Sequence, residues 1–165
     1  MAYRRELILA NIVETLLEIK KTKSKLLDVD GDPIAFESNV HGVDRILRDI
    51  ETEIDQSEVP LFMVVGGEES EAEAGTGGEV ESSFTVVLWG VIYDANHSSE
   101  RIESLVGDMK LAMRNDVHRG VHPAGGRQAV NTVLAGVVTL RGELQPWEAI
   151  RAEWVVTYRY RHTSP

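Results

Sequence analysis

Residues 59 to 93 carry two apolar runs, Val-Pro-Leu-Phe-Met-Val-Val-Gly and Ser-Phe-Thr-Val-Val-Leu-Trp-Gly-Val-Ile-Tyr, separated by a Gly-rich stretch with six Glu and no basic residue. Both runs read as β-strands, and together as a hairpin. Successive side chains of a strand point to opposite faces, so the second run places Phe84, Val86, Leu88 and Ile92 on one side and Val87, Trp89, Val91 and Tyr93 on the other. Both faces therefore need cover. A chain with two good helix candidates can seal one face of such a sheet, which leaves the other for a neighbouring subunit.

The rest of the pattern supplies those helices and further strands. From Arg4 to Lys21, Ile8, Ile12, Leu16 and Ile19, flanked by Leu9, Val13 and Leu17, form the wide apolar stripe of an amphipathic helix. After the hairpin, Ser98 or Ser99 offers an N-cap with Glu100 near the positive end of the helix dipole. Ile102, Leu105, Val106, Met109 and Met113 then continue at helical spacing to about Asn115. The segment from Asn39 to Glu53 suits either a helix or a strand; strand is favoured, because the 59 to 66 run otherwise lacks a neighbour. A β-rich stretch runs from Ala129 to Leu140, and a closing strand alternates Trp154, Val156, Tyr158 and Tyr160 against Val155, Thr157, Arg159 and Arg161. The expectation is a single α+β domain over residues 1–165, with a mainly antiparallel sheet and two helices packed on one face. It includes a long acidic hairpin loop at 67–81 and a Gly/Pro-rich loop at 116–128.

Composition narrows the function classes. With 165 residues the chain can bury a core without crosslinks, and with no Cys it has no disulfide, no thiolate nucleophile and no Cys-ligated zinc. Residues 1 to 20 keep Glu14 and Glu18 among the apolar positions, which fits neither a secretory segment nor a membrane span. A soluble product made in the cytoplasm is expected. Seventeen basic against 27 acidic residues give a net charge of −10, unfavourable for binding nucleic-acid phosphates. Six of the acids lie between Glu68 and Glu81, so the charge is concentrated in the hairpin.

No constellation of residues specifies chemistry. Asp28, Asp30 and Asp32 resemble the start of a calcium loop, but Asn39 stands where the bidentate Glu belongs and Gly31 falls too early, so a solvated turn is the better reading. His118 and His122 lie four apart, yet Gly120 and Pro123 oppose the helix that would aim both imidazoles at one metal. His41, His97 and His162 are isolated. The glycines at 66, 67, 75, 77 and 78 are followed by no Lys-Ser or Lys-Thr, and six glutamates would repel a phosphate. These features point to no enzyme, no cofactor and no metal. The rival, a small metal- or ligand-binding α+β enzyme domain using His118 and His122, predicts stoichiometric metal that survives dialysis. A regulatory, antitoxin-like protein predicts a small dimer.

Four elements then make the arrangement familiar: the N-terminal helix, a strand ending Pro-Leu-Phe-Met-Val-Val-Gly-Gly-Glu-Glu, the helix Ser-Ser-Glu-Arg-Ile-Glu-Ser-Leu-Val-Gly-Asp-Met-Lys-Leu-Ala-Met, and a closing strand Trp-Val-Val-Thr-Tyr-Arg-Tyr. Across nearly its whole length the chain resembles the tail terminator (tail completion, minor tail protein U-like) proteins of long-tailed bacteriophages. The resemblance implies a structural virion protein of the tail or neck, assembled in the host cytoplasm as a homohexameric ring. Such a ring caps the tail tube protein, stops its polymerisation and meets the head-neck connector protein, and in a contractile tail also the sheath protein. DNA passes through the lumen without specific binding, and no membrane is involved. Another neck or connector subunit would share this outline. The interface candidates are Trp89 and Tyr93 on the second face, Glu68, Glu69, Glu71 and Glu73 in the acidic stretch, His118 and His122 in the Gly-rich loop, and Arg159 and Arg161 on the final strand. The acidic stretch is expected at a rim or lumen, and the Gly120 to Gly126 segment is expected to reach towards a neighbour or the tube.

Overall fold

A computed structural model of the chain describes residues 4–18, 45–47, 54–55, 59–74, 78–93, 98–121, 125–144 and 146–161. The helices are α1 (Arg4–Leu17) and α2 (Ser98–Asn115); the strands are β1 (Arg45–Leu47), β2 (Leu61–Glu73), β3 (Glu79–Tyr93), β4 (Asn131–Leu144) and β5 (Trp147–Arg161). They form one sheet in the order β1-β2-β3-β5-β4. Only the short β1–β2 pair is parallel. The expected α+β architecture, antiparallel sheet with helices packed on it, is what the chain adopts. Of the strand favoured between Asn39 and Glu53, residues 45–47 are described, as β1, pairing Arg45, Ile46 and Leu47 with Leu61, Phe62 and Met63; the rest of that segment lies outside the described residues.

The helices bury most of the stripes that their spacing announced; in α1 Leu17 is exposed, and Ile19 to Lys21 lie outside the described residues. From α1 come Ile8, Leu9, Ile12 and Leu16; from α2 come Ile102, Leu105, Val106, Met109, Ala112 and Met113. Both stripes meet one face of the sheet, where Phe62, Val64, Phe84, Val86, Leu88, Ile92, Ile150, Ala152, Trp154 and Val156 complete the main core. Those strand residues are neighbours because of register: Phe84 stands between Glu69 and Val156, and Val86 between Gly66 and Trp154. Gly90 lies beneath Leu105 of α2. A Cβ there would come within 2.8 Å of Ile150, 2.9 Å of Phe62 and 3.0 Å of Leu105, so the position requires the smallest residue.

The acidic stretch departs from expectation. Most of the anticipated 67–81 loop is strand: β2 runs to Glu73, β3 starts at Glu79, and the ladder pairs Glu69, Ser70, Glu71, Ala72 and Glu73 with Phe84, Ser83, Ser82, Glu81 and Val80. A β-bulge between Gly66 and Glu69 sets two residues against Thr85 and changes which alternate residues face the helices. The physical reason is that β3 and β5 continue together to this level, with Val80–Tyr160 and Ser82–Tyr158 as the pairs on the helix-side face, and β3 offers a ladder to which an extended β2 can bond. Glycine and glutamate are weak strand formers, so local preference alone argued for a loop; pairing with β3 overrides it.

Candidate functional site

The molecule is best described by its surfaces. Its distinctive surfaces are the sheet face away from the helices, the acidic arm at the end of β2 and β3, and the sheet edges. On the far face, register brings Leu61, Val91, Ala149 and Leu140 into one row and Met63, Trp89, Arg151 and Val138 into the next. Farther along come Thr85, Val155 and Val133, then Ser70, Ser83, Thr157 and Asn131, and finally Ala72, Glu81 and Arg159. The face is thus apolar at one end and charged at the other.

The chain covers only part of the apolar end. Leu61, Met63, Val91 and Ala149 form a second, smaller core with Ile54, Val59, Trp89, Leu140 and Trp147 packed at its margin. Tyr93 is half-buried, its ring edge-on to Trp147 at 5.1 Å, and Trp89 is half-buried with the Arg151 guanidinium 5.9 Å from its ring centre. Trp89 and Trp147 line an open cavity of about 410 Å³ together with Ile54, Val91, Leu140 and Ala149. Beyond it Val133 and Val138 remain 52% and 53% exposed and Val155 36%, an apolar surface on the two strands at that side of the sheet. The second-face residues Trp89 and Tyr93 are therefore partly covered by their own chain.

The acidic arm divides its glutamates between two tasks. Glu69, Glu71 and Glu73 share the helix-side face with Ser82, Tyr158 and Tyr160. Glu69 accepts hydrogen bonds from Ser82 Oγ (2.6 Å), from the Tyr158 hydroxyl and from Arg5 (3.0 Å), and Glu71 accepts one from the Tyr160 hydroxyl (2.5 Å). Arg5 also donates to Gly67 O at 2.7 Å and lies 5.0 Å above the Phe84 ring, which ties α1 to the arm. Burial pushes the Glu69 carboxyl up, but the bonds from Ser82, Tyr158 and Arg5 and the Arg5 charge outweigh it, leaving its pKa below the ordinary 4.5. The bond to Glu71, with burial added, pushes Tyr160 up to about 12.

These shifts fix the sign of the pH response. A lowered carboxyl pKa gives a contribution fully present above pH 4.5 that disappears as pH falls through the folded-state value. Because the Glu69 side chain is still 25% exposed, the expected cost of Glu69→Gln is modest, about 1 kcal/mol at neutral pH. Urea melts of the two proteins should differ at neutral pH and converge in acid. A gap of the same size at both pH values would mean that the Glu69 charge contributes nothing.

The remaining predicted residues are dispersed. Glu68 and Glu73 are exposed, and their side chains make no hydrogen bond or ion pair among the described residues. Arg159 pairs with Glu81 at 2.8 Å, and Arg161 is exposed opposite Glu79. His118 is half-buried in the turn after α2, where Asp116 accepts from the backbone N–H groups of His118 (3.1 Å) and Gly120 (2.6 Å). His122, His41, His97, His162 and the 28–39 turn lie outside the described residues. Among the described residues no group of three or more His, Asp or Glu is placed to hold a metal.

The described part of the Gly-rich segment is tied to its own domain. Thr132 Oγ1 donates to Val117 O (2.8 Å), Ala129 N to His118 O (2.8 Å) and Gln128 Nε2 to Val121 O (3.2 Å). Arg119, fully buried, donates to the Met113 carbonyl; burial, opposed by the Asp116 charge, pulls its pKa down to about 10, so it stays cationic at neutral pH.

Sequence reasoning missed two features. One is the match of Glu69-x-Glu71 with Tyr158-x-Tyr160, whose common two-residue period was available as a signal. The other is a cavity of about 270 Å³ lined by Arg4, Arg127, Arg159, Gln128, Ala129 and Val130, residues remote in sequence that only the fold assembles. Compared with known proteins, the chain matches no family model and no curated protein sequence.

Proposed function

We propose that this chain is a structural virion protein: a tail terminator that closes into a homohexameric ring, caps the tail tube, stops its polymerisation and joins the tail to the head-neck connector. Its mature location is the tail or neck of the virion, reached after assembly in the host cytoplasm. The supporting observation is the unsealed sheet. One face is closed by α1 and α2, while the other carries exposed Val133, Val138 and Val155 beside a half-covered Trp89. Exposed apolar surface of this kind marks a binding face. The terminal strand β4 also has no strand partner on its outer side among the described residues, and such edges invite pairing with another chain.

In this reading a terminator works by geometry. One ring face offers the tube what its next subunit would offer, and the opposite face lacks the surface that recruits another copy. Closure by rotation gives a ring where an open contact would give a filament. The acidic arm lowers the affinity of the ring for passing DNA through charge repulsion.

The test is genetic and structural together. Disrupting the coding sequence in the phage that carries it is expected to give tails of uncontrolled length and heads without tails. Supplying the protein in trans should restore both, with a ring visible at the head-proximal end of the tube. Tails of normal length joined to heads without the protein would end the proposal.

A further inference from the structure

The two sides of the sheet are oppositely charged at the same height. Ala72 on β2 is level with Glu81 on β3 and Arg159 on β5, so Glu71 and Glu73 flank the level of Arg159. Beyond Met63, β2 has no strand on its outer side among the described residues, and this free side carries the acidic end of the strand. On the opposite side, β4 begins only at Asn131, opposite Thr157, and past that point the cavity of Arg4, Arg127 and Arg159 opens.

No carboxylate lines this cavity among the described residues. Arg159 is matched by Glu81, Arg4 donates to the Arg159 carbonyl, and among the described residues neither Arg4 nor Arg127 has an acidic partner. Like charges held together in one hollow repel unless an anion joins them. On the opposite side of the sheet, the Glu68 and Glu73 carboxylates have no partner among the described residues.

We infer that the Arg4–Arg127–Arg159 hollow of one copy is the docking point for the β2 arm of a second copy, whose carboxylates without a partner among the described residues are Glu68 and Glu73. The contact is head-to-tail: each copy gives an arm on one side and takes one on the other, so it closes only by rotation about a common axis. Arg is the residue suited to this task, because its planar fork binds carboxylates in fixed geometry. The inference rests on the ring reading and adds which surfaces meet. Duplex DNA, the other polyanion such a ring would meet, is disfavoured as the occupant by the net charge of −10 and by the acidic arm.

The absence of Cys makes a direct test possible. Ala72 and Val130 are exposed, and replacing them leaves every charge in place. Within one chain they are separated by about three strand spacings, ~14 Å, beyond the ~7 Å Cα reach of a disulfide. Mild oxidation of the Ala72→Cys/Val130→Cys protein is therefore expected to give a reducible ladder of multimers. Arg4→Glu/Arg127→Glu, or Glu68→Arg/Glu73→Arg, introduced into that background should each abolish the ladder while keeping the melting temperature. Mixing the two charge-reversed proteins in equal amounts should restore it, because each arm then finds an opposite hollow.

No ladder from the parent, a ladder unaffected by either reversal, or failure of two folded variants to rescue each other would overturn the inference. So would duplex DNA binding by the wild type that Arg4→Glu/Arg127→Glu abolishes without changing the ladder. The tail-length assay separates this failure from failure of the ring reading. Normal tail termination by either charge-reversed protein alone removes the pairing and leaves the terminator; normal tails without any of the protein remove the terminator.

Discussion

Replacing Phe84 with alanine is expected to cost about 3–5 kcal/mol of folding stability, the usual range for removing a fully buried aromatic ring. Phe84 is 1% exposed and lies where the main core meets the acidic arm. Its ring is edge-on to Tyr158 at 6.1 Å, and the Arg5 guanidinium lies over it at 5.0 Å. Truncation leaves a void and removes the surface that aligns Tyr158 and Arg5 with Glu69. The loss should therefore include the pH-dependent Glu69 contribution, and the Phe84→Ala melt should respond less to acid than the wild-type melt. Val87→Ala, three positions along β3 on the half-buried face, is the control and should cost much less. Equal losses at Phe84 and Val87 in denaturant melts would show that the helix-side core does not hold the domain together.

Gly90→Val is expected to be nearly as damaging for the opposite reason. A side chain at Gly90 collides with Ile150, Phe62 and Leu105, which approach from the neighbouring strands and from α2. Overpacking of this kind costs about 1–3 kcal/mol, with Gly90→Ala at the lower end and Gly90→Val at or above the upper. The obstruction is specific, so it can be relieved. Leu105→Ala alone creates a cavity, but combined with Gly90→Ala it opens space for the new methyl group, and the double variant should lose less than the sum of the singles. Strict additivity would show that α2 does not press on the sheet at this point.

How far the sequence could be read depended on whether a residue's surroundings were local. The α1 and α2 stripes and the alternation of Trp154, Val156 and Tyr158 against Val155, Thr157 and Arg159 depend only on the period of the element, and they bury largely as written. The strand at Arg45–Leu47 follows from a different kind of clue, the need of β2 for a neighbour on its outer side. The arm was misjudged because its strand character comes from a ladder with β3 and from hydroxyls on β5, some 89 residues away in sequence. Glu69 and Glu71, read as interface candidates, are held within the chain for the same reason: their donors Tyr158 and Tyr160 lie 89 residues away in sequence. The basic hollow was less legible still. Arg4, Arg127 and Arg159 belong to a helix start, a turn and a strand end, and only the close of the β4 ladder at Asn131 lets them converge.

The bulge at Gly67 has a bearing on how this protein can vary. Upstream of it the even-numbered residues Phe62 and Val64 address the helices; downstream the odd-numbered Glu69, Glu71 and Glu73 do. The extra residue acts as a parity switch, so losing it would restore regular pairing without turning any carboxylate away from its tyrosine. Beyond the switch that freedom ends. A single residue gained or lost between Ser70 and Glu73 would rotate every later side chain to the other side of the ribbon. The arm can change length at its tip without disturbing these pairs, whereas an odd change past the bulge and ahead of Glu71 on β2 alone would part Glu71 from Tyr160.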